Sequence, residues 1–182
     1  MPSAFMLIPL LFSLTLVAGK NVMPKVVHQP AFSVIGIEVR TSNAKEATAD
    51  GLIGKQWQRI FQEGLLQKIP AKTDNNIYAL YSNYASDHNG EYSFTLGARV
   101  QDGTPAPAGF VLRTIPAGNY AVITSERGPV AQVVIAAWKR VWTMEDNHEL
   151  GSPRAYKTDF ELYDRRTSNP QDSQVDLYIG LK

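Results

Sequence analysis

The sequence predicts an α+β fold, a tandem pseudo-twofold pair of strand-helix-strand-strand modules with an antiparallel sheet and two main helices. Three observations predict it. Runs of β-branched and aromatic residues read as strands, and two longer segments place apolar residues at helical spacing. The order strand, helix, strand, strand occurs twice. Short residue strings also recur between the two halves at offsets of 81 to 83 residues, as two copies of one module would show.

The chain has 182 residues, 44% of them apolar and 19% charged, enough to bury a core in one or two small domains. Its formal charge is +1 and its 18 basic residues are scattered, so the charge balance gives no support to nucleic acid or an anionic membrane as partner. The absence of cysteine excludes disulfides, thiolate metal sites and a cysteine nucleophile, without identifying a compartment. Residues 1–19 hold the uncharged apolar run Phe5 to Ala18, ending at Gly19-Lys20. That run is short for a bilayer span and reads as a signal peptide, with Val17 and Gly19 at the small-residue cleavage positions. The expected location is therefore periplasmic or extracellular, with residues 20–182 as the working domain. The cytoplasm is the alternative if the segment is no functional signal, and a retained anchor is a further alternative.

Module one is expected over about 26–102. It opens on a strand from Ala31 to Arg40, carrying Phe32, Val34, Ile35, Ile37 and Val39. A helix follows from about Lys45 to Gln67, where Leu52, Ile53, Trp57, Ile60, Phe61 and Leu65 recur at helical spacing before Gly64 and Pro70 end it. Strands at Ile77–Tyr84 and Glu91–Gln101 flank Asn89-Gly90, a strong hairpin signal. Residues 103–109, rich in proline and glycine, form the linker.

Module two, about 110–182, repeats the order. Phe110–Ile115 and Asn119–Ser125 are extended around Pro116-Ala117-Gly118. Gly128-Pro129 opens a helix reaching about Met144, with Val130, Val133, Val134, Ala137, Trp138, Val141 and Trp142 on a broad apolar face. Tyr156–Asp164 and Gln174–Leu181 close the module as a hairpin.

The recurring strings assign faces. Trp57-Gln58-Arg59-Ile60-Phe61 matches Trp138-Lys139-Arg140-Val141-Trp142; Tyr78-Ala79-Leu80-Tyr81 matches Phe160-Glu161-Leu162-Tyr163; and Ser93 to Gly97 matches Asp176 to Gly180. One face collects Phe160, Leu162, Leu177 and Ile179 with Tyr78, Leu80, Phe94 and Leu96, and is expected under the helices. The other collects Ala79, Tyr81, Thr95 and Gly97 with Glu161, Tyr163, Tyr178 and Gly180. That second face would line a ligand cleft between the modules, ringed by tyrosines and made one-sided by Glu161, which stands where the first copy has Ala79.

The strings Ile115-Pro116-Ala117-Gly118-Asn119-Tyr120-Ala121, Gly128-Pro129 followed by Trp138 and Trp142, and Asp159-Phe160-Glu161-Leu162-Tyr163 resemble the GyrI-like small-molecule-binding family, the effector-binding domain of AraC-type and MerR-type bacterial regulators. The resemblance covers roughly Met23 to Lys182. It implies a cleft that takes hydrophobic, often cationic or planar compounds, with Glu161 as its acid and Tyr163, Trp138, Tyr81 and Tyr178 as its aromatic positions. It also implies two alternatives: a hydrolase of cyclopropane-containing natural products with Glu161 as the catalytic group, and a gyrase-inhibitor-like partner-binding protein. No helix-turn-helix precedes the domain, a departure from the family's regulators.

The chemistry of the residues agrees with a binding role. A carboxylate among aromatic faces supplies countercharge to a lipophilic cation, and the rings supply area and cation–π attraction. Trp57 reads as core packing, Tyr120 as a turn support, and Arg113 and Arg140 as surface or ion-pairing residues. His28, His88 and His148 lack metal-ligand or haem-ligand spacing, and no Walker loop, dinucleotide fingerprint or nucleophile elbow occurs. No metal, cofactor or nucleic-acid partner is therefore expected.

Overall fold

The computed structural model describes residues 23–182, and the N-terminal segment read as a signal lies outside them. Eight strands form one antiparallel sheet: β1 (Lys25–Gln29), β2 (Phe32–Ser42), β3 (Ile77–Ser82), β4 (Glu91–Val100), β5 (Val111–Ile115), β6 (Gly118–Thr124), β7 (Thr158–Tyr163) and β8 (Asp176–Gly180). Their order across the sheet is β1-β6-β8-β7-β3-β4-β2-β5. Among the described residues three α-helices accompany them: α1 (Asn43–Glu46), α2 (Ile53–Gln62) and α3 (Val130–Asp146).

The two halves of the chain meet at the middle of the sheet, where β3 pairs with β7. Ala79 lies opposite Glu161 there, with Ile77 opposite Tyr163 and Tyr81 opposite Asp159. The two residues that the sequence strings equate thus face each other across the central strand pair. The edge strands are exchanged between the two halves. β1, which precedes β2 in the chain, pairs with β6 of the second half, and β5, which precedes β6, pairs with β2 of the first. Neither β1 nor this exchange is anticipated by the sequence patterns, because five residues with exposed and half-buried side chains carry no periodic signal.

Because only Pro30-Ala31 joins β1 to β2 and Pro116-Ala117 joins β5 to β6, the two ends of the sheet must approach each other. The sheet curls over one of its faces. Phe32 and Tyr120, from strands near opposite ends, both reach Phe160 at the centre, with ring centroids 5.8 and 5.6 Å apart. Val34, Tyr78, Leu80 and Ile115 complete this enclosed core. Curling needs close backbone approach between β2 and β4, where Gly36 sits opposite Gly97. A Cβ on either glycine would run into the partner strand's backbone at Leu96 or Ile35.

Helices α2 and α3 cover the other face, over Ala79, Phe94, Leu96, Ile123, Leu177 and Ile179. This corrects the expected faces. Phe160, Leu162, Tyr78 and Leu80 point away from the helices, whereas Phe94, Leu96, Leu177 and Ile179 lie beneath them. The first long helix is also shorter than its periodicity suggests. It divides into α1, a turn at 47–52, and α2, with a 3-10 turn over Leu65–Lys68 beyond Gly64 at φ 58°. The break is chemically set: the Glu46 carboxylate turns back to accept the N–H groups of Leu52 and Ile53 at 2.9 and 3.1 Å, capping α2 from the preceding turn.

Candidate functional site

Alternation along β7 puts Asp159, Glu161 and Tyr163 on the helix-covered face, where all three are buried. Glu161 is 1% exposed. Its Oε1 accepts hydrogen bonds from the Tyr81 hydroxyl at 2.8 Å and the Trp138 indole Nε1 at 2.6 Å, and its Oε2 accepts from the Tyr163 hydroxyl at 2.7 Å. Each donor comes from a different position: β3, α3 and two residues along β7. Ala79, directly across from Glu161, is small enough to leave the carboxylate room.

Electrostatically the arrangement is one-sided. Burial pushes the Glu161 carboxyl above the usual carboxylate range, while the bonds from Trp138, Tyr163 and Tyr81 act in the opposite direction. Burial also pushes the Tyr81 and Tyr163 hydroxyls well up, reinforced by the Glu161 charge, so both stay protonated as donors. All three partners are neutral. Among the described residues no lysine, arginine or histidine forms an ion pair with Glu161.

Above the carboxylate lies a cavity of about 800 Å³ between α2 and α3, within the ~300–1,000 Å³ range of small-molecule sites. Its walls are mainly apolar, with tryptophan, tyrosine and phenylalanine rings beside aliphatic side chains. Tyr81 meets Trp138 edge-on at 4.9 Å, Trp57 meets Tyr163 edge-on at 4.7 Å, and Trp57 stacks on Phe61 at 5.9 Å. Glu161, Tyr163, Trp138 and Tyr81, four of the five residues proposed from the sequence, are thereby brought together in one wall.

Tyr178 is the fifth, and its expected place in the cleft is corrected. It lies on the enclosed face, stacked on Phe160 at 4.4 Å with an interplanar angle of 7°. The β7–β8 register explains this: Phe160 is opposite Tyr178 and Glu161 is opposite Leu177. Directly opposed residues share a face, so Leu177 accompanies Glu161.

The sequence reading also missed several wall residues. Trp57, read as core, lines the cavity, as do Trp142, Tyr84, Tyr92, His88 and Arg154. For Trp142 a signal existed, since it follows Trp138 by four residues on one helix face. Arg154 had none, because it lies in the irregular stretch between α3 and β7. Its guanidinium is 2.7 Å from Asp159 and 3.3 Å from Glu145, and it sits 4.4 Å from the Tyr156 ring centroid and 5.6 Å from that of Trp138. Tyr120, read as structural, donates to the Pro116 carbonyl at 2.9 Å, and Arg113 pairs with Glu38 at 2.6 Å.

Comparison with known proteins places this geometry. Residues 25–181 match the family model of the integron-associated effector binding protein Cass2. YobU of Bacillus subtilis, which carries the name of a transcriptional regulator, is 35% identical over 148 residues, covering 81% of this chain and 90% of YobU. The transcriptional regulator BrlR of Pseudomonas aeruginosa is 34% identical over 164 residues, and the match covers 89% of this chain but 56% of BrlR. An integron cassette protein of Vibrio cholerae superposes with a TM-score of 0.67 at 26% identity, covering 87% of this chain and 95% of that one. SAV2435, solved bound to tetraphenylphosphonium, has the same fold, with a TM-score of 0.68 at 19% identity and coverage of 88% and 94%. Sequence and fold agree, and the chain belongs to the Cass2 family of GyrI-like effector-binding proteins.

Proposed function

We propose that the protein captures a hydrophobic organic cation in the cavity between α2 and α3, with Glu161 as its countercharge. The observation that carries this reading is a buried carboxylate held only by neutral donors in an aromatic cavity. Removing a carboxylate from water is costly unless its charge is matched, and hydrogen bonds offset only part of that cost. A bound cation supplies the missing charge. Tyr81, Trp138, Tyr163 and Trp57 present ring faces and edges around it, each face adding about 0.5–2 kcal/mol of cation–π attraction. Most of the affinity would come from apolar area removed from water.

The reading is supported by the family's effector-binding description and by SAV2435, whose structure contains a lipophilic cation. Binding is a capture step, with the three donors orienting the carboxylate and the rings excluding water.

Titration calorimetry with tetraphenylphosphonium on the wild type and Glu161→Gln tests the reading. The expected result is measurable binding to the wild type and an affinity at least roughly 30-fold weaker in the variant, since unpairing a buried charge costs about 2–5 kcal/mol. Equal affinity would remove Glu161 from the site. Absence of binding across a panel of aromatic cations would remove the ligand class.

A further inference from the structure

The wall of the cavity contains one position that a helix would not ordinarily choose. Gly54 lies in the first turn of α2, where glycine costs up to about 1 kcal/mol relative to alanine. No backbone requirement accounts for it. Its φ lies outside the left-handed region, and a Cβ built on it meets no atom within 4 Å. Its consequence is an absence of side chain at the edge of the cavity.

That edge has a definite character. The cavity-lining residues that are exposed are Gly54 and Phe61 on α2, Ala131 and Ile135 on α3, and Pro170 beyond β7. Phe61 and Ile135 are 61% and 57% exposed, and large apolar side chains that are this open mark the mouth. The whole rim is uncharged. Charged side chains line the cavity only inside this rim, at Glu46, Arg154 and Glu161, so a compound meets charge after it has passed between two apolar helix edges.

We propose that Gly54 sets the width of this mouth, so that α2 discriminates ligands by bulk before Glu161 discriminates them by charge. The assignment of a ligand to the cavity rests on the cation-binding reading above; the assignment of the mouth rests on Gly54, Phe61 and Ile135 themselves. A branched side chain at 54 would project into open space at the rim. It would narrow access without disturbing the carboxylate or its three donors, and it would raise helix propensity.

Two measurements test this, one of which needs no ligand. Because the chain contains no cysteine, Ile77→Cys on the floor strand β3 introduces a single thiol inside the cavity. Its labelling rate is read with a bulky reagent, fluorescein maleimide, and a small one, methyl methanethiosulfonate, with and without Gly54→Leu. The expected result is a tenfold or greater slowing for the bulky reagent and less than twofold for the small one. Unchanged rates for both reagents in Gly54→Leu, or an equal slowing of both, would overturn the proposal. The second measurement compares tetraphenylphosphonium with tetraethylammonium on Gly54→Ala and Gly54→Leu. The expected loss for tetraphenylphosphonium grows with side-chain size to about tenfold, while tetraethylammonium changes by less than twofold and the melting temperature does not fall. A uniform loss for both cations overturns the mouth assignment. Failure of the wild type to bind either cation, with the labelling result as expected, leaves the mouth in place and sinks the cation reading instead.

Discussion

Asp159 and Glu161 are two acids on the same face of the same strand, both buried, and the chain treats them in opposite ways. Asp159 is matched from within: the Arg154 guanidinium lies 2.7 Å away, the Tyr84 hydroxyl donates at 2.6 Å and the Gly180 amide at 2.8 Å. Glu161 receives three hydrogen bonds of similar length and no cation. A buried ion pair with satisfied hydrogen bonds fixes a structure. A buried carboxylate with neutral donors leaves charge that an incoming group can match. Two residues apart, one acid closes the C-terminal hairpin against the preceding loop, and the other is held open toward the cavity.

The largest test of this difference removes the internal cation. Arg154→Met leaves Asp159 buried beside its two remaining donors, and leaving one member of a buried pair uncompensated costs about 3–5 kcal/mol. Urea unfolding should show that loss as a shift in midpoint. A change near zero would mean that Asp159 does not depend on Arg154, and the contrast between the two acids would fail. The corresponding change at the other acid should go the opposite way. Glu161→Gln keeps an acceptor for Tyr81 and Trp138 and removes only the charge, so stability should hold or rise by up to about 1–2 kcal/mol while cation affinity collapses. A clear destabilisation would show that Glu161 serves the fold rather than a ligand.

A smaller effect is expected at the donors. Trp138→Phe keeps most of the ring area but removes the 2.6 Å bond to Glu161. A hydrogen bond to a charged group contributes about 1.5–3 kcal/mol, so cation binding and stability should both suffer, each within that range. Loss of binding with no loss of stability would assign Trp138 to the ligand alone.

These residues also show what the sequence could reveal. Glu161, Tyr163 and Tyr81 were legible because period-two alternation within a strand fixes which neighbours share a face, and the recurring strings equated Tyr81 with Tyr163. Trp138 was legible from helical spacing. What alternation within one strand does not fix is parity between strands. The hairpin connections set β4 against β3 so that Leu96 opposes Ala79, and β8 against β7 so that Leu177 opposes Glu161. Matching Gly97 to Gly180 implied the other parity, which put Tyr178 in the cleft and Phe94 and Leu96 outside it. Arg154 was illegible for a different reason: its position is set by the path of an irregular loop and by a charge partner five residues away, neither of which leaves a periodic trace.

The finest test of the contrast uses pH. Burial raises the Glu161 carboxyl above the 4.5 of an exposed glutamate, so the folded chain holds that proton more tightly than the unfolded one. Between 4.5 and the folded value the native state binds more protons, and stability contributed by Glu161 falls as pH rises. Below the unfolded value that contribution is complete; above the folded value it is gone. Carboxyls such as Glu38 and Asp164 act in the opposite sense, because hydrogen bonds and charge from Arg113 and Arg166 outweigh their burial. They are common to the wild type and Glu161→Gln, so the difference between the two proteins isolates position 161. Urea midpoints measured upward from pH 4.5 should show the wild type losing ground to the variant as pH rises. Tetraphenylphosphonium affinity of the wild type should strengthen over the same window, since the ionised carboxylate is the form that attracts the cation. The two slopes have opposite signs and one origin. Parallel midpoint curves for wild type and variant would show that Glu161 does not titrate in this range, and its charge would then be settled by its three donors rather than by its burial.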